Sequence, residues 1–196
     1  MNFYPSSLAR LRPLALLVLL AGAPACHRLM PGSSPPSSSS SSAMPRPSES
    51  GMATLLLLAN RAEAGYAEVA LARVTRPDVK ELAQRLATDH AALGIQLGEI
   101  VARLDITPTD EPAGLSFRER SNARRARLRA ATERGIDSTY VQLEIDTHHE
   151  LLDLVDQQLL PAARHAELKE YLAALGPALR AHLAHAEQVR ATLAAR

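Results

Sequence analysis

Beyond residue 50 the apolar positions recur at helical rather than strand spacing, and turn-forming residues cut them into five stretches. The first runs from about Met52 to Val74 and stops at Thr75-Arg76-Pro77-Asp78. The second runs from about Asp78 to Leu104, ahead of a loop at 107–114 that carries two prolines and a glycine. Residues 115–134 form a weakly amphipathic, Arg-rich stretch, read as a short extra helix. Gly135 breaks it, and Asp137 is a plausible N-cap for a helix reaching about Leu160. A turn at 161–164 leads into the last helix, from about His165 to Ala194, with a kink expected at Gly176-Pro177. The pattern predicts an all-α, up-down-up-down four-helix bundle with the short helix inserted between its second and third members.

Each long stretch carries an apolar stripe when the residues are stepped about 100° apart. These are Met52, Leu56, Ala59, Ala67 and Ala70 in the first; Leu82, Leu86, Leu93, Leu97 and Ile100 in the second; Val141, Ile145, Val155 and Leu159 in the third; and Leu168, Leu172, Leu175, Leu179 and Val189 in the last. One ionisable, metal-capable side chain interrupts each stripe: Glu63, His90, His148 and His182. Their heights are compatible. Glu63 precedes Val74 by 11 residues and His90 follows Asp78 by 12, while His148 precedes Leu160 by 12 and His182 follows His165 by 17. At about 1.5 Å per residue the four fall within about a turn of one level. Burying such groups is costly unless they are paired or ligate something. Two readings follow. Imidazoles with a carboxylate make a shell for Fe, Zn, Cu or Mn. Alternatively the layer is a hydrogen-bond network that sets helix register. Asn60 and Glu144 lie a turn from Glu63 and His148, and Asp89 is placed to orient His90, so these three are read as supporting groups. A di-iron carboxylate site is not matched, because no Glu-x-x-His occurs. His149 is read as a surface or boundary residue, about 100° away from His148.

The first 25 residues differ in kind. Arg10 and Arg12 precede the apolar run Leu14 to Ala21, and small residues lead to Cys26. This is the layout of a signal peptide, too short to span a bilayer as a helix. Cys26, the only cysteine, stands where a lipoprotein signal places its acylated residue; the competing reading is ordinary cleavage after Ala23 or Ala25. Residues 26–50, rich in Ser and Pro, read as a disordered tether to a domain at 51–196. The location expected is therefore the periplasmic side of the envelope, as an outer-membrane lipoprotein held to the membrane at Cys26, or as a secreted or periplasmic protein if the cysteine is not acylated.

Composition removes several alternatives. Aromatics make up 3% of the chain, with no Trp, which argues against a sandwich or barrel. A single Cys rules out a disulfide scaffold. Basic and acidic residues number 22 and 21, so net charge gives no support for nucleic-acid binding. The one basic concentration is Arg118, Arg120, Arg124, Arg125, Arg127, Arg129 and Arg134. It reads either as a solvated face paired with acids or as a contact for envelope phosphates or a protein; without interleaved aromatics it does not suit single-stranded nucleic acid. No nucleotide-binding loop, nucleophile elbow or His-Glu-x-x-His motif occurs, so enzymatic activity has no motif behind it.

Several short segments, in order, resemble the exported bacterial family of domain of unknown function 4142. They are Asn60-Arg-Ala-Glu63, Val79-Lys-Glu-Leu-Ala83 leading to Thr88-Asp89-His90, Ile136-Asp-Ser-Thr-Tyr140 with His148 eight residues on, and Pro177-Ala-Leu-Arg-Ala-His182-Leu-Ala-His185-Ala186. The resemblance covers about 53–190. It implies a ferritin-like helical bundle outside the cytoplasm and no established activity. Ile136 stands where Phe is usual and Gly176 where Leu is usual.

Overall fold

A computed structural model describes residues 46–195, and among these there is no strand. The signal segment at 1–25, Cys26 and the tether up to residue 45 lie outside the described residues. Helix α1 spans Glu49–Leu71, α2 Pro77–Arg103, α3 Pro112–Ala130 and α4 Ile136–Leu154. A π-helical turn, Val155–Leu159, and the single turn α5, Leu160–Ala162, prolong α4 into one rod; α6 spans Ala166–Ala194. No helix among the described residues is long and apolar enough to cross a membrane.

The ends follow from local chemistry. Ser48 caps α1 by accepting from the Gly51 amide at 3.1 Å, so the helix starts ahead of the expected Met52. Pro77 sits in the first turn of α2, where its missing N–H costs nothing. α2 closes in a Schellman motif. Asp105 takes a left-handed φ of 52°, Ile106 N–H donates to the Val101 carbonyl at 3.0 Å, and Asp105 N–H donates to Ala102 at 3.3 Å. The π turn precedes Pro161, whose ring cannot continue the regular ladder; the Leu160 N–H reaches back five residues to the Val155 carbonyl. Pro177 lies inside α6, which runs through it as one helix.

Side-chain rungs give the directions. Asp78–Thr192, Asp89–His182 and Arg103–Glu167 run down α2 and up α6, so those two are antiparallel. Glu49 holds the backbone N–H groups of Arg164 and His165 beyond α5, while Thr75, after α1, bonds Asp137 at the start of α4. α1 is thus antiparallel to α4 as well as to α2, which makes α2 and α4 parallel. This departs from the expected up-down-up-down order of four. The cause is α3, which is not a short insert. It runs alongside α1 in the same direction, from the Ser48–Glu111 contact, through Tyr66–Ser121, to Arg73, whose guanidinium donates to the carbonyls of Leu128, Arg129 and Ala131. α3 carries the chain back to the end where α2 began, so the four inner helices run up, down, down, up.

α3 buries Gly114, Phe117, Ser121 and Leu128 against α1. That is why α1 is buried well beyond its expected stripe, with Leu55, Ala62 and Tyr66 also inside. The Tyr66 hydroxyl donates to Ser121 Oγ at 2.8 Å, and burial pushes its pKa up to about 12. Most of the remaining expected stripe residues are in the core; Leu93 and Leu152 are half-buried at its margin.

Candidate metal centre

α2, α4 and α6 deliver His90, His148 and His182 to one place, each no more than 2% exposed. The ring centroids form a triangle with sides of 5.5, 5.2 and 5.4 Å. His90 Nε2 lies 3.4 Å from His148 Nε2, which lies 3.4 Å from His182 Nδ1. All three nitrogens are within 4.8 Å of one another.

The outward nitrogen of each ring settles its tautomer. His90 Nδ1 is 3.1 Å from Asn60 Oδ1. The Asn60 amide nitrogen already donates to the Leu56 carbonyl at 3.0 Å, so its oxygen faces the imidazole and Nδ1 carries the proton. Tyr171 steadies that amide, its hydroxyl lying 3.3 Å from Asn60 Nδ2 and 3.3 Å from the Leu93 carbonyl. His148 Nδ1 donates to the Glu144 backbone carbonyl at 2.8 Å. His182 Nε2 donates to Asp89 Oδ2, also at 2.8 Å. Three protons are thus pinned outward, and three lone pairs point at each other. Burial first, then the neighbouring imidazoles, pushes His90 well below its ordinary value. Burial lowers His148 to about 4 and also lowers His182. At neutral pH no proton sits between the rings.

Glu63 does not join this triangle. Its Oε2 lies 3.8 Å from the far nitrogen of His148, Nδ1, beside Glu144 Oε2 at 3.7 Å. The single expected layer is therefore two adjoining clusters that share one ring, because α1 meets α4 on the side of His148 turned away from α2 and α6. Burial raises Glu63 to about 7 and Glu144 well above the usual carboxyl value, Glu144 further through the Glu63 charge. Asp89 orients His182 rather than His90, since consecutive residues on α2 point to different neighbours. Glu144, expected at a stripe edge, is 0% exposed. Tyr140 was not singled out as a site residue, yet it is buried beside Glu144; its spacing of four before Glu144 and eight before His148 was the available signal.

His149 is exposed, His185 is half-buried, and exposed His165 is held by Glu49. The Arg stretch divides. Arg118 pairs with Asp110, and Arg120 and Arg124 with Glu150. Arg127, Arg129 and Arg134 are exposed and make no ion pair among the described residues. Two surface grooves flank α2 and reach the histidines: one of about 270 Å³ beside α1 touches His90, and one of about 260 Å³ beside α6 touches Asp89 and His182.

The family model for a domain of unknown function, DUF4142, matches residues 34–189, most of the chain. The chain belongs to the DUF4142 family. No curated protein and no solved structure matches it. Within this DUF4142 domain the convergent histidines are a set that could hold a metal ion, and the match includes Glu63, His90, His148 and His182.

Proposed function

We propose that this DUF4142 chain is an exported, ferritin-like bundle that binds a transition-metal ion through His90, His148 and His182 and serves the cell envelope as a metal buffer or store. The observation that carries the reading is the convergence of three unprotonated nitrogens whose opposite N–H groups are each held by an acceptor. Metal-bound histidines have that arrangement, with an amide, a backbone carbonyl or a carboxylate fixing the ring. The 3.4 Å separations fit too: bonds of about 2.0–2.1 Å at a tetrahedral angle put two nitrogens about 3.4 Å apart. Three neutral imidazoles suit Zn, Cu or Fe better than Mn, which prefers oxygen. A three-ligand set leaves a coordination position for water, so an ion there exchanges or reacts rather than being locked away.

The order of four inner helices with one long crossover supports the ferritin-like assignment. Export, acylation at Cys26 and residence on the periplasmic side of the outer membrane complete the proposal, resting on the signal-like start and the Ser/Pro tether. In the competing reading the polar cluster is a structural network, and the protein is an interaction module that meets envelope phosphates or a partner through the exposed arginines Arg127, Arg129 and Arg134. A network through the outward N–H groups accounts for Asn60, Glu144 and Asp89 but gives the three inward lone pairs no donor, which is what favours the metal reading.

The test is metal analysis of the exported protein purified without an affinity tag, alongside His90→Ala and His148→Ala. One equivalent of metal in the wild type, lost in both variants, is expected. Sub-stoichiometric metal unchanged by the substitutions sinks the proposal.

A further inference from the structure

The trihistidine cluster uses one edge of the His148 ring. The other edge faces Glu63 and Glu144, whose nearest oxygens lie 3.8 and 3.7 Å from Nδ1. Both carboxyls are completely buried, and so is Tyr140 beside Glu144. All four carboxyl oxygens and the Tyr140 hydroxyl lack a hydrogen-bond partner among the described residues. Folded interiors satisfy nearly all such groups, so five neighbouring exceptions ask for a missing component. One proton shared between the carboxyls, with the Tyr140 hydroxyl turned onto Glu144, would serve at most four of the five atoms and still leave a carboxyl oxygen bare in the core. The cation acting on both carboxyls, Arg124, is engaged by Glu150, and its Nη1 makes no bond to either of them.

We propose that Glu63, Glu144 and Tyr140 hold a second divalent cation beside the trihistidine ion. Its ligands are the two carboxylates and the phenol oxygen, all hard donors, and two ionised carboxylates balance a dication. His148 is no ligand here, because its Nδ1–H is committed to the Glu144 carbonyl; the ring stands between the two ions. Ca²⁺ takes six to eight oxygens and Mg²⁺ keeps several waters, more than a fully buried set of five protein oxygens offers. Mn²⁺ fits the donors best. The centre would then sort two metals by chemistry, a nitrogen-preferring ion on one side of His148 and an oxygen-preferring ion on the other. The second site deepens the metal-binding reading but shares none of its ligands, so the two can fail separately.

The test loads the exported chain with Zn²⁺, then titrates Mn²⁺ anaerobically, counting bound Mn²⁺ by electron paramagnetic resonance and both metals by elemental analysis. The wild type is expected to bind one of each. The Glu63→Gln and Glu144→Gln variants, which keep side-chain shape, should keep the Zn²⁺ and weaken Mn²⁺ by more than about 100-fold, beyond the 10–100-fold that losing an outer hydrogen-bond partner costs. Glu144→Asp, with the charge kept and the reach shortened, should weaken Mn²⁺ less than Glu144→Gln. His90→Ala with His182→Ala should lose Zn²⁺ and still bind Mn²⁺. Circular dichroism confirms that each variant is folded. No Mn²⁺ in the wild type, or Mn²⁺ binding unaffected by Glu63→Gln and Glu144→Gln, overturns the proposal. So does a single Zn²⁺ that these variants weaken with no Mn²⁺ bound, which would make the carboxylates counter-charges only.

Discussion

Glu63→Gln should stabilise the metal-free protein at pH 8 and leave it unchanged near pH 4. Glu63 is fully buried, and its pKa is raised from 4.5 to about 7. A carboxyl whose folded pKa lies above its unfolded value contributes its full stability below pH 4.5 and loses it as pH rises through 7, because the unfolded chain gives up the proton first. A rise from 4.5 to about 7 is worth on the order of 3 kcal/mol. Gln carries no ionisation cost and adds an amide that can donate to the orphaned Glu144 carboxyl. Chelator-treated wild type and variant would be unfolded in urea at pH 4.5, 6 and 8. The variant's advantage should grow with pH and, at pH 8, appear as about 6–12 °C in melting temperature. The three imidazoles titrate alike in both proteins and cancel from the difference. If the Gln variant is less stable than wild type at pH 8, or the difference is the same at pH 4.5 and 8, the carboxyl is not held as the structure implies. Mn²⁺ at about 100 times its dissociation constant should return about 2.7 kcal/mol to the wild type alone and erase the variant's lead.

Asp89→Asn and Asn60→Ala should each leave one trihistidine ion per chain but weaken Co²⁺ about 10–100-fold in a competition titration, since each removes the acceptor that orients a ring. Co²⁺ affinity should begin to fall only at a pH below the ordinary imidazole value of 6.5, because burial lowers all three rings and holds His148 at about 4; a loss centred on 6.5 in the titration contradicts those directions. For the same groups the unfolded chain binds protons first as pH falls, so their share of metal-free stability should decline from about pH 6.5 toward 4, read by urea unfolding. Arg73→Ala should cost about 1–3 kcal/mol in urea unfolding and speed amide exchange in the last turn of α3, whose carbonyls the guanidinium closes.

Periodicity made the helices and their inner faces legible, because a stripe records only which side of a helix avoids water. It also exposed His90, His148, His182 and Glu63, each an expensive interruption of such a stripe. Which interruption meets which was not legible. Contacts between stripes depend on helix direction, and direction turned on residues 112–130, whose low apolar content hides that Gly114, Phe117, Ser121 and Leu128 share one buried face. A short solvated insert there puts α4 antiparallel to α2 and leaves Glu63 free to face all three imidazoles. A full-length crossover instead sets α4 parallel to α2 and turns the Tyr140, Glu144 and His148 line so that α1 meets it on one side and α2 and α6 on the other. The division of the polar core into a nitrogen side and an oxygen side therefore follows from the crossover. A variant chain that kept every stripe residue but broke the Phe117 and Leu128 contacts would put both proposed metal sites at risk without touching a proposed ligand.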